Sequence, residues 1–184
     1  IVSAGSCTSN ALLPVLRILD DAYGIEMGMI TTIHSAMNDQ PVLDAYHHTD
    51  LRKTRAAFNS MIPVDTELAA GVDRVMPHLE GCFSAVAMRV PTLNVSALDV
   101  SVVVRSSITI KDVKERLMHV CRTGDSVVEV TDKPLASCDF VGESASGIID
   151  LGQIQVSGQR LLKLLIWFDN EWAFANRLID TLLA

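Results

Sequence analysis

Leu12, Leu13, Val15, Leu16, Ile18, Leu19 and Ala22 recur at helical spacing between about Thr8 and Tyr23, and Gly24 ends the pattern. Pro14 falls in the second turn, where its ring and missing N–H would bend the helix. The next ten residues, IEMGMITTIH, switch to a period of two and predict a strand from Ile25 to His34. Residues 35 to 63 follow neither period and carry scattered Asp, His and Arg; a connection that long inside a compact domain is usually functional. A helix is predicted from Thr66 to Leu79, and strands in CFSAVAMRV and NVSALDVSVVV around Pro91. TIKDVKERLMHVCRTG predicts a further helix, with Thr109 and Asp112 at capping-box spacing and Gly124 at its end. Strands are expected at 126–130, 136–141 and 146–151, a strongly apolar strand at LLKLLIWF, and an amphipathic terminal helix in NEWAFANRLIDTLLA. There is no internal repeat and no low-complexity segment. Strands outnumber helices and often adjoin each other, which predicts an α+β fold: a mostly antiparallel or mixed sheet with helices on one face, rather than a doubly wound one.

Composition narrows the classes. The 184 residues suit one domain with a substantial core, and 49% apolar with 20% charged residues is a globular balance. A net charge of −7 argues against nucleic acid as a partner, because phosphate binding at that scale needs a basic face. A small anion held by a few local cations stays compatible with it. No apolar run approaches the roughly 18 residues of a membrane span, and no signal peptide is recognisable, so no membrane partner is expected. Cys7, Cys82, Cys121 and Cys138 form no C-x-x-C pair. Reduced thiols in a cytoplasmic protein are expected, with no metal site. The chain opens on Ile1-Val2, which has the pattern of a strand interior, so the 184 residues have the look of a fragment.

Cys7 stands between small polar residues at the start of the first predicted helix. The unpaired N–H groups and dipole of a helix start favour a thiolate, and a nearby imidazole would lower the thiol further and shuttle its proton. Cys7 is thus either a nucleophile partnered by His34 or a small buried residue, and His34 either a base or a satisfied strand-end histidine. Arg89 shares parity with Phe83, Ala85 and Ala87, which places it on an apolar face. A buried guanidinium there needs an anion, either an aspartate or a substrate phosphate. Arg52, Lys53 and Arg55 lie in the long loop, either solvated or gathered with Arg89 into an anion pocket. Asp169-Asn170 fits an ordinary turn and helix cap as well as a site.

Four motifs then carry a resemblance. SCTSN resembles S-C-T-T-N, TTIH resembles T-T-[VI]-H, RVPTLNVS resembles R-V-P-T-x-N-V-S, and WFDNEW resembles W-[YF]-D-N-E, all in the order found in the catalytic domain of the glyceraldehyde-3-phosphate dehydrogenase family. The 27-residue step from Cys7 to His34 also matches that family. IHSAMNDQ, DAYHHTDLRKTRAA, IPVDT and NEWAFANR are more similar to its branch acting on erythrose 4-phosphate than to the glycolytic branch. The resemblance implies that Cys7 is the nucleophile and His34 the base. It also implies that Ser6, Thr8, Thr66, Glu67 and Arg89 meet substrate or phosphate, with Lys53 where an arginine is usual. Asn170 would hold the nicotinamide carboxamide of NAD. Ala11, Met37, Glu67 and Phe174 depart from the glycolytic pattern; the last three argue against glycolytic specificity. The implied chemistry is NAD-dependent oxidation of a small phosphorylated aldehyde through a cysteine thioester. Phosphorylating glyceraldehyde-3-phosphate oxidation is the alternative within the family, and a cysteine hydrolase or a non-catalytic assembly domain the alternatives outside it. No G-x-G-x-x-G fingerprint occurs, so the resemblance implies that an upstream domain binds most of the dinucleotide. It further implies that the terminal helix, about 169–184, packs on that domain, and that the full protein is a homo-oligomer, a tetramer.

Overall fold

The computed structural model describes residues 3–123 and 126–184; Ile1-Val2 and Gly124 lie outside them. In chain order the elements are α1 (Cys7–Tyr23), β1 (Ile25–His34), β2 (Ile62–Val64), α2 (Leu68–Val75), β3 (Phe83–Arg89), β4 (Ser96–Val104) and α3 (Ile110–Cys121). They continue with β5 (Val128–Thr131), β6 (Gly147–Asp150), β7 (Gln155–Ser157), β8 (Leu161–Phe168) and α4 (Trp172–Leu183). The eight strands form one sheet in the order β2-β3-β1-β4-β8-β6-β5, with β7 also paired to β8. Two pairs, β1 with β3 and β5 with β6, are parallel and the rest antiparallel, which is the mixed α+β sheet expected.

Alternation along the strands builds the core. Leu98, Val100, Val102 and Val104 of β4 and Leu162, Leu164, Ile166 and Phe168 of β8 point to one face, where they are buried beneath α1. Ala11, Leu12, Val15, Leu16 and Leu19 form the matching stripe of α1 and are fully buried, each large side chain contributing about 1.5–3 kcal/mol. α1 comes close to β6 because Gly147 faces it: a Cβ there would stand 3.0 Å from the Ala11 carbonyl oxygen and 2.9 Å from Ile166. Leu68 and Val72 of α2 and Val113 and Leu117 of α3 join the same cluster, so the helices share one face. α4 rests on α1 and buries Ala173, while Leu178, Ile179, Leu182 and Leu183 are exposed.

Departures from the predicted elements have local causes. The helix expected over 66–79 stops at Val75, because the residue before Pro77 is driven from helical geometry, and the chain resumes as a 3-10 turn, Pro77–Leu79. The segment 136–141, expected as a strand, is instead a 3-10 turn (Ser137–Phe140) opened by the Asp139 carboxylate, which accepts the Ala136 N–H at 2.8 Å. Its Phe140 stacks on Trp167 and covers one corner of the opposite sheet face. β2 and β7, three residues each, are too short to impose a period and went unpredicted. α1 runs unbroken through Pro14, and α3 ends at Cys121, before the predicted stop.

Candidate active site

The first turn of α1 fixes the nucleophile position. Ser6 is the N-cap, accepting the Ser9 N–H at 3.0 Å, and Cys7 is the first helical residue. Asn10 reaches back with its amide to the carbonyls of Ala4 (2.7 Å) and Ser6 (2.8 Å), which ties the entering loop to the helix. β1 delivers His34 from the other side, and Cys7 Sγ stands 3.7 Å from His34 Nε2. His34 Nδ1 lies 2.9 Å from the Ser35 carbonyl oxygen, which accepts only, so Nδ1 carries the hydrogen and Nε2 offers its lone pair to the thiol. The His34 ring also meets Phe168 edge-on at 6.3 Å.

The electrostatics differ from the expectation of a lowered thiol. Burial pushes Cys7 up, against the lowering effect of the Thr8 hydroxyl and the N–H groups of Thr8 and Cys7. Burial likewise holds His34 below its usual value, opposed by its bond to Ser35 and assisted by Arg89. Burial thus disfavours the charged form of both groups. Desolvation outweighs the helix start because both groups are largely buried rather than in open solvent.

Arg89 lies opposite His34 in the β1–β3 register and is buried, as its parity required. Its anion is Asp39, 2.5 Å from Nη1, which also takes Lys53 Nζ at 3.2 Å. Burial would raise the Asp39 carboxyl, but its bonds and charge contacts with Arg89 and Lys53 win and hold it low. The loop cations do not all gather here. Arg55 pairs with exposed Asp44 and lines a second cleft with Arg52, one that Arg89 does not line.

Ser6, Thr8, Thr66 and Glu67 line one cleft of about 700 Å³ between the starts of α1 and α2. Thr66 Oγ1 accepts the Leu68 N–H at 3.3 Å. The Glu67 carboxylate is exposed and reaches Arg74 at 4.0 Å. No group of three or more metal-binding side chains occurs among the described residues.

Asp169 does more than cap a helix. It is buried, and its Oδ1 accepts the N–H groups of Glu171 and Trp172, both at 2.9 Å. Its Oδ2 accepts Gly142 N–H (2.8 Å) and the Asn94 amide (3.1 Å). Burial alone would raise this carboxyl, but the four hydrogen bonds prevail and hold it below the usual range. Asn170 follows, its Oδ1 taking the hydroxyls of Ser35 (3.0 Å) and Ser96 (2.8 Å). Asp39, Ser35 and Ser96 escaped the reading of the sequence; the parity of Arg89, which asked for an anion, either an aspartate or a substrate phosphate, was the one signal pointing to Asp39.

Among the described residues no helix is long and apolar enough to cross a membrane. The family model for the glyceraldehyde 3-phosphate dehydrogenase C-terminal domain matches residues 6–170, from the N-cap of the nucleophile helix to Asn170. The match takes in Cys7, His34, Lys53, Thr66, Arg89 and Asn170 in one span, and the chain belongs to that family of oxidoreductases.

Proposed function

We propose that this domain carries the catalytic cysteine of a cytoplasmic NAD-dependent dehydrogenase that oxidises erythrose 4-phosphate to 4-phosphoerythronate. The observation that carries this reading is the Cys7–His34 pair, with Nε2 turned to the thiol by the Nδ1–Ser35 bond. His34 Nε2 takes the thiol proton, and the Cys7 sulfur adds to the aldehyde carbon to give a hemithioacetal. The backbone N–H groups of Cys7 and Thr8, which lie against the sulfur, are the donors nearest the oxyanion that forms there. His34 returns that proton to the oxyanion and then removes it again as the carbon loses hydride, so that the carbon becomes a thioester on Cys7. Nicotinamide dinucleotide, when bound, would supply the hydride acceptor. The fit on this chain is limited to Asn170, whose Oδ1 is engaged and whose Nδ2 is without a partner among the described residues, a donor suited to a carboxamide oxygen. The adenosine half would be held by a domain beyond these 184 residues. Lys53 and Arg89 take the substrate phosphate beside Asp39, and water opens the thioester.

A second reading, phosphorylating oxidation of glyceraldehyde 3-phosphate, has one observation in its favour. Glu67 is exposed and paired with Arg74, so its charge is screened and the cleft at Ser6, Thr8 and Thr66 remains open to inorganic phosphate. Steady-state NADH formation by the complete enzyme, with each aldehyde and with or without phosphate, decides between them. Turnover of erythrose 4-phosphate that is indifferent to phosphate supports the first, and a strict phosphate requirement the second. The outer sheet face, where Met27, Met29 and Val86 are exposed, would join subunits in the tetramer.

A further inference from the structure

Ser35 and Ser96 lie far apart in sequence, at the ends of β1 and β4, and both are buried. Their hydroxyls converge on one atom, Asn170 Oδ1, at 3.0 and 2.8 Å. Ser96 Oγ is also the acceptor for the Ser35 N–H at 3.0 Å, so the two serines and the asparagine form one closed cluster. A carbonyl oxygen has two lone pairs, and both are taken here. Turning the amide over would leave two buried hydroxyl hydrogens without an acceptor, which a folded protein avoids. The amide is thereby held in one orientation, with Nδ2 unpartnered among the described residues.

The backbone around Ser96 shows that this position is maintained against strain. Val95, a β-branched residue, has φ +64°, a conformation such residues rarely adopt. Asn94 Oδ1 holds its N–H at 2.6 Å, while the Asn94 amide is anchored on Asp169. Asp169 in turn fixes the backbone that follows Asn170.

We propose that Ser35 and Ser96 are positioning residues that lock the Asn170 amide as a hydrogen-bond donor, so that the site selects a ligand presenting a carbonyl acceptor and not one presenting an N–H. The inference rests on the proposed function, in which that carbonyl belongs to the nicotinamide carboxamide. The acceptor-only test ligand is the 3-acetylpyridine analogue of NAD, which keeps the carbonyl and lacks the amide N–H groups.

In the complete enzyme, the wild type should use NAD and the acetylpyridine analogue with similar KM. An analogue without any carbonyl at that ring position should be used poorly. Ser35→Ala frees the amide to rotate: it can then meet NAD through either its donor or its acceptor, but it meets the acetyl group only through its donor. The dissociation constant for the analogue, read from quenching of protein fluorescence, should rise several-fold more than that for NAD, and KM with it, with a smaller change in kcat. Ser35→Cys, of similar shape and weaker donor strength, should fall between. Equal rises for both dinucleotides, or no rise, overturn the positioning role while leaving the dehydrogenase reading intact. Wild-type rejection of the acetylpyridine analogue as strong as that of the carbonyl-free one also overturns it, and needs no variant to fold. A wild type that reduces no dinucleotide removes the proposed function and this inference together.

Discussion

Two aspartates organise the two sides of this site, and they do so by opposite means. Asp169 is buried and gathers four N–H donors, three of them backbone, so it welds the ends of β8 and α4 to the loops at 94 and 142. Asp39 has an exposed carboxylate and gathers two charged side chains, one from a strand and one from the long loop. The first arrangement fixes geometry at low dielectric, where losing the acceptor strands several donors at once. The second sets local charge, and solvent screens it. The cysteine–histidine side of the site is therefore built from rigid elements, while the Arg89 side depends on a loop held by ions.

The largest expected effect tests the rigid half. Asp169→Ala should cost about 3 kcal/mol in denaturant unfolding, since it leaves buried donors unpaired. The folded carboxyl is held below its unfolded value, so its contribution is fully present above the usual carboxylate range near pH 4. It is lost as the pH falls through the lower folded value, and the deficit of the variant should shrink there. A deficit that is constant in pH would show that packing rather than charge is at stake. Asp39→Ala, measured alongside, should cost much less; equal costs would erase the contrast between the two carboxylates.

Arg89→Ala comes next and belongs to the ionic half. It should lower kcat/KM for the phosphorylated aldehyde about a hundredfold, chiefly through KM, as expected for loss of a charge-assisted contact. The same variant should act on a non-phosphorylated aldehyde nearly as the wild type does, and an equal loss on both substrates would move Arg89 out of the phosphate site.

Alkylation of Cys7 sharpens the rigid half again, at smaller scale. Because burial holds the thiol above its ordinary value, iodoacetamide labelling of Cys7 should still be climbing through pH 9 rather than levelling near neutrality. Thr8→Val, which removes a stabilising hydroxyl, should slow labelling several-fold at any fixed pH below that. A plateau near pH 6–7 would mean that the pair rests as an ion pair.

The smallest effect is assigned to Lys53. Lys53→Ala should raise KM only a few-fold, and adding salt to the wild type should reproduce much of that change, because an ion pair at this exposure contributes about 1 kcal/mol or less. A salt-insensitive loss of a hundredfold would make the loop as rigid a platform as the sheet.

Periodicity along the chain, read by itself, determined most of the framework. The 3.6-residue stripe of α1, the capping box at Thr109 and Asp112, and the alternation in β1, β3, β4 and β8 are local signals, each enforced by a one-sided core. The motif order likewise led to Cys7, His34, Arg89 and Asn170, because chemistry of that kind is written in residue types at fixed spacing. Tertiary structure alone decided what those residues touch. Asp39 meets Arg89 across 50 positions, Ser35 and Ser96 meet Asn170 across 135 and 74, and no local period encodes a hydroxyl reaching a carbonyl at that separation. The direction of the Cys7 shift was also tertiary: a helix start lowers a thiol in water, but this one is buried in the fold, and desolvation is a property of what surrounds a group rather than of its neighbours in the chain.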